Sequence, residues 1–188
     1  MEIQRTPAAP RLQVERPGAP YPLPGMLARS ALLRADLRGA HPGMALDLRL
    51  RLLDAGTGAP LRDVAVCLQQ RRPAALCGVQ ISDADGRVRL CTLRPPPGID
   101  GTGSIELQLG LTRDGLLYAV ARTTLVLPGL RRYDPAPPHA QLDTLGRLLT
   151  PAPRGDPRTG QTLEIEIALA GLPDTLVTSA REQHDAAP

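Results

Sequence analysis

Leu46-Asp47-Leu48-Arg49-Leu50-Arg51-Leu52 decides the fold. Four leucines alternate with one aspartate and two arginines. On an extended chain this period of two puts the leucines on one face and the charges on the other. That is a strand with one side in a core and one side in water. The same grammar continues outward. Asp54-Ala55-Gly56-Thr57-Gly58-Ala59-Pro60 is a turn cluster, and residues 61–68 read as a second strand with Val64 and Val66 on one face. Residues 79–82 and 87–93 flank Asp83-Ala84-Asp85-Gly86, a hairpin signal. Residues 104–112 alternate Ile105, Leu107, Leu109 and Leu111 against Ser104, Glu106, Gln108 and Gly110. After Arg113-Asp114-Gly115 come strands over 116–127 and then 162–168.

Seven or so short strands separated by turns predict an all-β fold, an antiparallel β-sandwich of about seven to nine strands with little helix. Two weak helical readings accompany it, a turn or two within residues 27–37 and a short helix over 141–149. Residues 1–45 form a Pro-rich arm and lead-in, with prolines at 7, 10, 17, 20, 22 and 24 that exclude helix there. The sandwich is expected over 46–170, with a tail over 171–188.

Composition removes several classes of function. The 188 residues contain no Phe, Trp, Lys or Asn, and all 22 basic side chains are Arg. Codon bias in a GC-rich, bacterial genome accounts for the absence of Phe, Lys and Asn. The net charge of +3 and the three tyrosines, Tyr21, Tyr118 and Tyr133, argue against nucleic-acid binding, which uses strong positive charge and stacking rings. No apolar run approaches a membrane span, and no signal peptide stands at Met1-Glu2-Ile3-Gln4-Arg5. Cys67, Cys77 and Cys91 are an odd number without a C-x-x-C, and read as reduced core thiols in the cytoplasm. Asp83-Ala84-Asp85-Gly86 lacks the length and the closing Glu of a calcium loop.

Asp54-Ala55-Gly56-Thr57-Gly58-Ala59-Pro60-Leu61-Arg62-Asp63-Val64-Ala65-Val66 resembles the D-x-x-T-G-x-P-L-x-G-A-x-V stretch of the intradiol aromatic-ring-cleavage dioxygenases. Cys77 to Val88 resembles that family's R-G-x-Q-x-T-D-A-D-G-x-V. Ala19-Pro20-Tyr21, Arg29-Ser30 and Thr123-Thr124-Leu125-Val126-Leu127-Pro128 are fainter echoes of its other motifs. The resemblance spans roughly residues 19–170 and implies a prealbumin-like sandwich. It also implies a ferric ion held by two Tyr and two His, and this chain departs from the family there. The W-H-C-D-A strand end falls on Gln69-Gln70-Arg71-Arg72-Pro73, and the following Tyr loop is nearly deleted. P-G-x-Y falls on Pro95-Pro96-Pro97-Gly98, and H-I-H becomes Ser104-Ile105-Glu106. The family's Arg and Gln near the iron become Gly101 and Thr124. A hydroxyl and a carboxylate cannot replace two phenolates and two imidazoles around Fe³⁺, so no metal and no other cofactor is expected. A relocated site would have to draw on Tyr133, His139 and the arm or tail residues Tyr21, His41 and His184.

Strand parity places Ser104, Glu106 and Gln108 on the face where the family has its cavity. If a pocket persists, Glu106 is the candidate acid or base with Ser104 beside it, since partial burial suits a carboxylate to proton transfer at neutral pH. Gln69, Asp100, Gln108 and Thr124 are candidate lining groups. Arg71 and Arg72 are candidate contacts for a ligand carboxylate or phosphate. The plainer reading is a solvated face. Three functions follow from the resemblance. The first is a pseudoenzyme that binds an aromatic small molecule or assembles as a homo-oligomer, or in a hetero-complex with an intact dioxygenase or pathway enzyme. The family supplies a precedent, a protocatechuate-cleaving member that pairs an iron-binding subunit with a homologous one lacking the ligands. The second is a metal-free isomerase or cyclase of secondary metabolism acting on an aromatic or polyketide-like substrate. The third is a divergent ferric dioxygenase.

Overall fold

A computed structural model of the chain describes residues 8–14, 32–98, 101–113, 116–129 and 136–172. Eleven strands account for most of them. They are β1 (Arg11–Gln13), β2 (Ala45–Asp54), β3 (Val64–Gln70), β4 (Leu76–Ile81), β5 (Arg87–Leu93) and β6 (Gly103–Arg113), followed by β7 (Leu116–Leu127), β8 (Gln141–Leu142), β9 (Leu148–Leu149), β10 (Arg154–Asp156) and β11 (Gly160–Ala170). The first sheet runs β1-β11-β2-β5, with β10 also on β11, and the second runs β4-β3-β6-β7-β9-β8. The expected all-β sandwich is present. Both sheets are mixed rather than purely antiparallel, because β1 and β2 pair parallel to β11, and β9 pairs parallel to β7.

The alternation that predicted the strands also builds the core. Leu46, Leu48, Leu50 and Leu52 of β2 turn inward with Val88 and Leu90 of β5 and Leu163, Ile165 and Ile167 of β11. They meet Val64, Val66 and Leu68 of β3 and Ile105, Leu107 and Leu109 of β6. Each such aliphatic side chain contributes about 1.5–3 kcal/mol on burial, so the core needs no aromatic ring. Polar groups stitch the sheets at one end. Gln70, buried at the end of β3, donates through Nε2 to the Leu93 carbonyl at 2.8 Å and accepts from Thr92 Oγ1 at 2.8 Å.

Two local readings are corrected. The turn at Asp83 forms as predicted, with the Asp83 carboxylate accepting from the amides of Asp85 and Arg87 and with Gly86 at φ +72°. It closes no hairpin, because β4 belongs to the second sheet and β5 to the first. The Leu52 amide donates to the Gly86 carbonyl and ties the turn to β2, so the chain crosses from one layer to the other. Residues 141–149 are the hairpin β8–β9, not a helix. Asp143 Oδ1 accepts from the amides of Leu145 and Arg147, and Gly146 takes φ +71°, which a helix does not allow. Residues 27–31 lie outside the described residues, Leu32 is in a 3-10 helical turn, and 33–37 run as a strap with bridges from Leu33 to Val79 and from Asp36 to Cys91. The strap lies along the free edge of β4 and then the free edge of β5, and Leu37 sits in the space above Gly78. Among the described residues no helix is long and apolar enough to cross a membrane.

Candidate functional site

The site lies on the outer face of the second sheet. Because Ile105, Leu107 and Leu109 of β6 point inward, Ser104, Glu106 and Gln108 face away from the core. The register sets their neighbours. Gln69 of β3 and Thr124 of β7 flank Glu106, and one row on, Cys67 and Arg122 flank Gln108. The β8–β9 hairpin stands beside these rows, held by a hydrogen bond from Thr123 Oγ1 to the Gly146 carbonyl at 3.0 Å. Between hairpin and sheet is an open cleft of about 500 Å³, lined by Cys67, Gln69, Glu106, Gln108, Arg122 and Thr124, with Leu145 to Arg147 on the hairpin side.

The structure thus brings Gln69, Glu106, Gln108 and Thr124 together. Ser104 shares their face one step further along β6 and stays outside the cleft lining. Arg71 approaches from the loop after β3, its Nε 3.9 Å from Glu106 Oε1. The Glu106 side chain is 55% exposed, so this is a surface ion pair of little energetic weight. Arg72 is exposed, and its backbone carbonyl accepts from Gln70 Nε2. Asp100 lies outside the described residues.

Two groups in the cleft have unusual surroundings. Gln108 Nε2 is buried and has no hydrogen-bond partner. Cys67 is fully buried in the middle of β3, not at a strand end. Burial first, and then the neighbouring Cys77 thiol, pushes its thiol up to about 12. Cys67 is therefore a protonated packing thiol at neutral pH and no nucleophile.

A ferric ion with the ligands that the resemblance implies does not fit this face. The outward groups at the matched positions are a serine hydroxyl and one solvated carboxylate. Among the described residues no three His, Cys, Asp or Glu side chains are grouped to hold a metal. Among the described residues, the histidines and Tyr118 are not assembled at this cleft. His41 and His139 are exposed, and His139 lines a separate groove of about 700 Å³ on the first sheet with Arg154 and Glu164. Tyr118 lies six residues before Thr124 on β7, on the order of 20 Å along the strand. Tyr21, Tyr133 and His184, like Arg131 and Arg132, fall outside the described residues.

Sequence reasoning missed Cys67, Arg122 and the hairpin wall as parts of the cleft. Arg122 was within reach of a register argument, except that a bulge at Leu111/Thr112 shifts the β6–β7 pairing by one residue. The wall was hidden by reading residues 141–149 as helix.

No family model matches the chain, and no curated protein matches its sequence. Solved structures do, and intradiol and catechol dioxygenases are among those it is similar to. The dioxygenase domain of a dioxygenase carbohydrate-binding protein fusion from Streptomyces sp. SirexAA-E is 22% identical, with 73% of this chain and 89% of that one covered at a TM-score of 0.48. An intradiol ring-cleavage dioxygenase from Tetranychus urticae is 13% identical, with 73% and 86% covered at 0.48. The 3-chlorocatechol 1,2-dioxygenase from Rhodococcus opacus 1CP is 17% identical, with 88% and 68% covered at 0.46. At that degree of likeness no activity and no residue role passes from them to this chain.

Proposed function

We propose that the chain is a non-catalytic, intradiol dioxygenase-like protein that binds a small acceptor-bearing molecule, an aromatic acid or phenol by class, in the cleft beside Gln108. The observation that carries this reading is the buried, unpartnered Gln108 Nε2 in the cleft lining. An unmade buried hydrogen bond costs about 1–3 kcal/mol, and a ligand carboxylate or phenol oxygen would recover it. Arg122 lines the same cleft beside Arg147, whose guanidinium is paired with Asp143 at 2.7 Å, and the exposed Leu145 offers apolar surface to a ring. The family part of the reading rests on the sequence motifs at 54–66 and 77–88. Its non-catalytic part rests on Ser104 and Glu106 at the positions of the family's histidines. An acid–base enzyme has less support, because Glu106 is half exposed and meets only a surface arginine.

The test is a titration of the full chain with benzoate, protocatechuate and catechol, followed by amide-resolved NMR. The Gln108 side-chain amide is expected to shift with at least one of them, and Gln108→Leu to raise its Kd about tenfold, or ~1.4 kcal/mol. An unmoved Gln108 amide with all three, or unchanged binding by the leucine variant, overturns the proposal.

A further inference from the structure

We propose that the open stretch of β11 between β1 and β10 is a strand-addition site for a short, uncharged, extended peptide. One edge of β11 pairs with β2 from Gln161 to Leu169. Its other edge is shared by two short strands, β10 against Gly160 to Thr162 and β1 against Ala168 to Ala170. Residues 163–167, between them, have no partner strand on that edge among the described residues.

Parity gives the direction of the backbone groups. The Ala168 amide donates to the Pro10 carbonyl, and the Ala170 carbonyl accepts from the Val14 amide. The Leu169 carbonyl instead accepts from Ala55, at the end of β2. Even-numbered residues of β11 therefore aim N–H and C=O away from β2. Glu164 and Glu166 do so without a backbone partner among the described residues. The flanking strands cannot reach them. Pro10 has no N–H to offer the Glu166 carbonyl, and the Glu166 amide makes no bond to the Ala8 carbonyl. Before β10 the chain runs Pro151-Ala152-Pro153 and leaves the ladder. The unpaired groups open into the groove of about 700 Å³, whose walls include Ala9, Pro10, Pro138, Ala140, Pro151 and Ala152. Elsewhere the fold closes its edges. On β5, Asp83 takes both backbone groups of Arg87, the strap takes both of Cys91, and Gln70 takes the Leu93 carbonyl.

Shape selects the occupant. From Thr162 to Ala168 the slot is about 20 Å long at ~3.3 Å per residue, and it is stopped at both ends by strands of the same chain. The edge of a folded sheet, with its neighbouring strands attached, cannot enter such a slot. A single extended segment of about five residues can, and its alternating N–H and C=O groups match those of Glu164 and Glu166. Charge narrows the choice. On the outer face an inserted strand lies beside Glu164 and Glu166, which Arg49 and Arg51 already neutralise. It also lies in line with Arg154 and Arg11, the partners of Thr162 and Ala168. An acidic side chain would face a glutamate, and a basic one would stand between two arginines. A peptide without charge avoids both repulsions, and the small apolar walls admit short side chains.

The probe is the acetylated and amidated peptide Ala-Thr-Val-Thr-Ala, titrated into the full chain with amide exchange read by NMR. In the free chain, the amides of Glu164 and Glu166 are expected to exchange about tenfold or more faster than those of Leu163, Ile165 and Ile167, which face β2. Saturating peptide is expected to slow those two amides by about tenfold or more. Alternate peptide amides face β11, so N-methylation at both threonines or at the central valine is expected to abolish binding in one form and spare it in the other. Replacing both threonines by Glu, or both by Lys, is expected to weaken binding. Glu164 and Glu166 amides as protected in the free chain as their neighbours overturn the proposal. So does the absence of a saturable change with the peptide, two N-methylated forms that behave alike, or a charged form that binds more tightly.

Discussion

Arg94 Nη1 donates to Gln161 Oε1 at 2.7 Å inside the sandwich, and the other arm of the guanidinium donates to the Pro128 carbonyl. Among the described residues no carboxylate stands within ion-pair distance of it. Burial pushes the Arg94 guanidinium below its ordinary value, yet an arginine stays charged. A buried cation is thus held by one amide oxygen and one backbone carbonyl, linking the end of β5 to the start of β11 and the end of β7. Gln161→Leu removes one of these acceptors and is expected to cost about 1.5–3 kcal/mol in urea unfolding. Adding Arg94→Met, which replaces the cation with an apolar chain of similar reach, is expected to recover most of that loss. If the double variant is no more stable than Gln161→Leu alone, the charge is not the reason for the cost.

Acid should weaken the first sheet through Asp47. Burial alone would raise this carboxyl, but hydrogen bonds from Arg89 and Arg49 outweigh it and hold it below its ordinary value. Asp36 is held at about 2, first by the side-chain hydrogen bond from Arg38, but it is largely exposed and contributes less. A depressed carboxylate stabilises the fold above its unfolded value of ~3.9 and loses that contribution as pH falls toward its folded value. Stability is expected to decline below about pH 4, and Asp47→Asn to flatten the decline. Superimposable acid limbs for the two proteins would refute the assignment.

Thiol chemistry separates the cysteines. Cys67 is buried with its thiol pushed up to about 12, so iodoacetamide at mildly alkaline pH is expected to leave it unmodified in the native chain. Cys77 and Cys91 are only half-buried. Peptide mapping after timed alkylation reads the order directly, and early labelling of Cys67 would show that β3 opens.

Gly78 leaves room for Leu37, whose Cδ2 occupies the position that a side chain on residue 78 would take. Gly78→Ala is expected to destabilise the fold by about 1–3 kcal/mol through overpacking. Leu37→Ala alone should cost about 2–5 kcal/mol by leaving a cavity. The two losses should not add, because the new methyl partly fills that cavity. Strict additivity in denaturant unfolding would place Leu37 elsewhere.

The parts legible in the sequence were those governed by neighbours along the chain. β2 and β6 announce themselves by strict alternation, and β5 and β7 match their predicted bounds because turn residues frame them. Parity and pairing set Glu106, Gln69 and Thr124 in one row of one face. Pairings set at long range were not legible. Nothing local in residues 11–13 shows that they lie parallel to Ala168–Ala170. The β8–β9 hairpin was misread because Leu142, Leu145 and Leu148 fit a helical stripe, while the competing signal is the Asp143 side chain capturing two amides. Gln108 was named for its face alone, and only packing reveals that its amide nitrogen is left without a partner.

The strap over 33–37 matters for how small this protein can be made. An uncovered strand edge is a template for a neighbour's strand, and here one short segment shields an edge of each sheet on the same flank. A fragment cut to begin at the first long strand would keep nearly every core leucine and still lose this seal, exposing β4 and β5 to edge-to-edge aggregation. The least soluble truncation would then be one that looks complete by its core. The minimal well-behaved domain is set by what closes its flank, and it must start before residue 32.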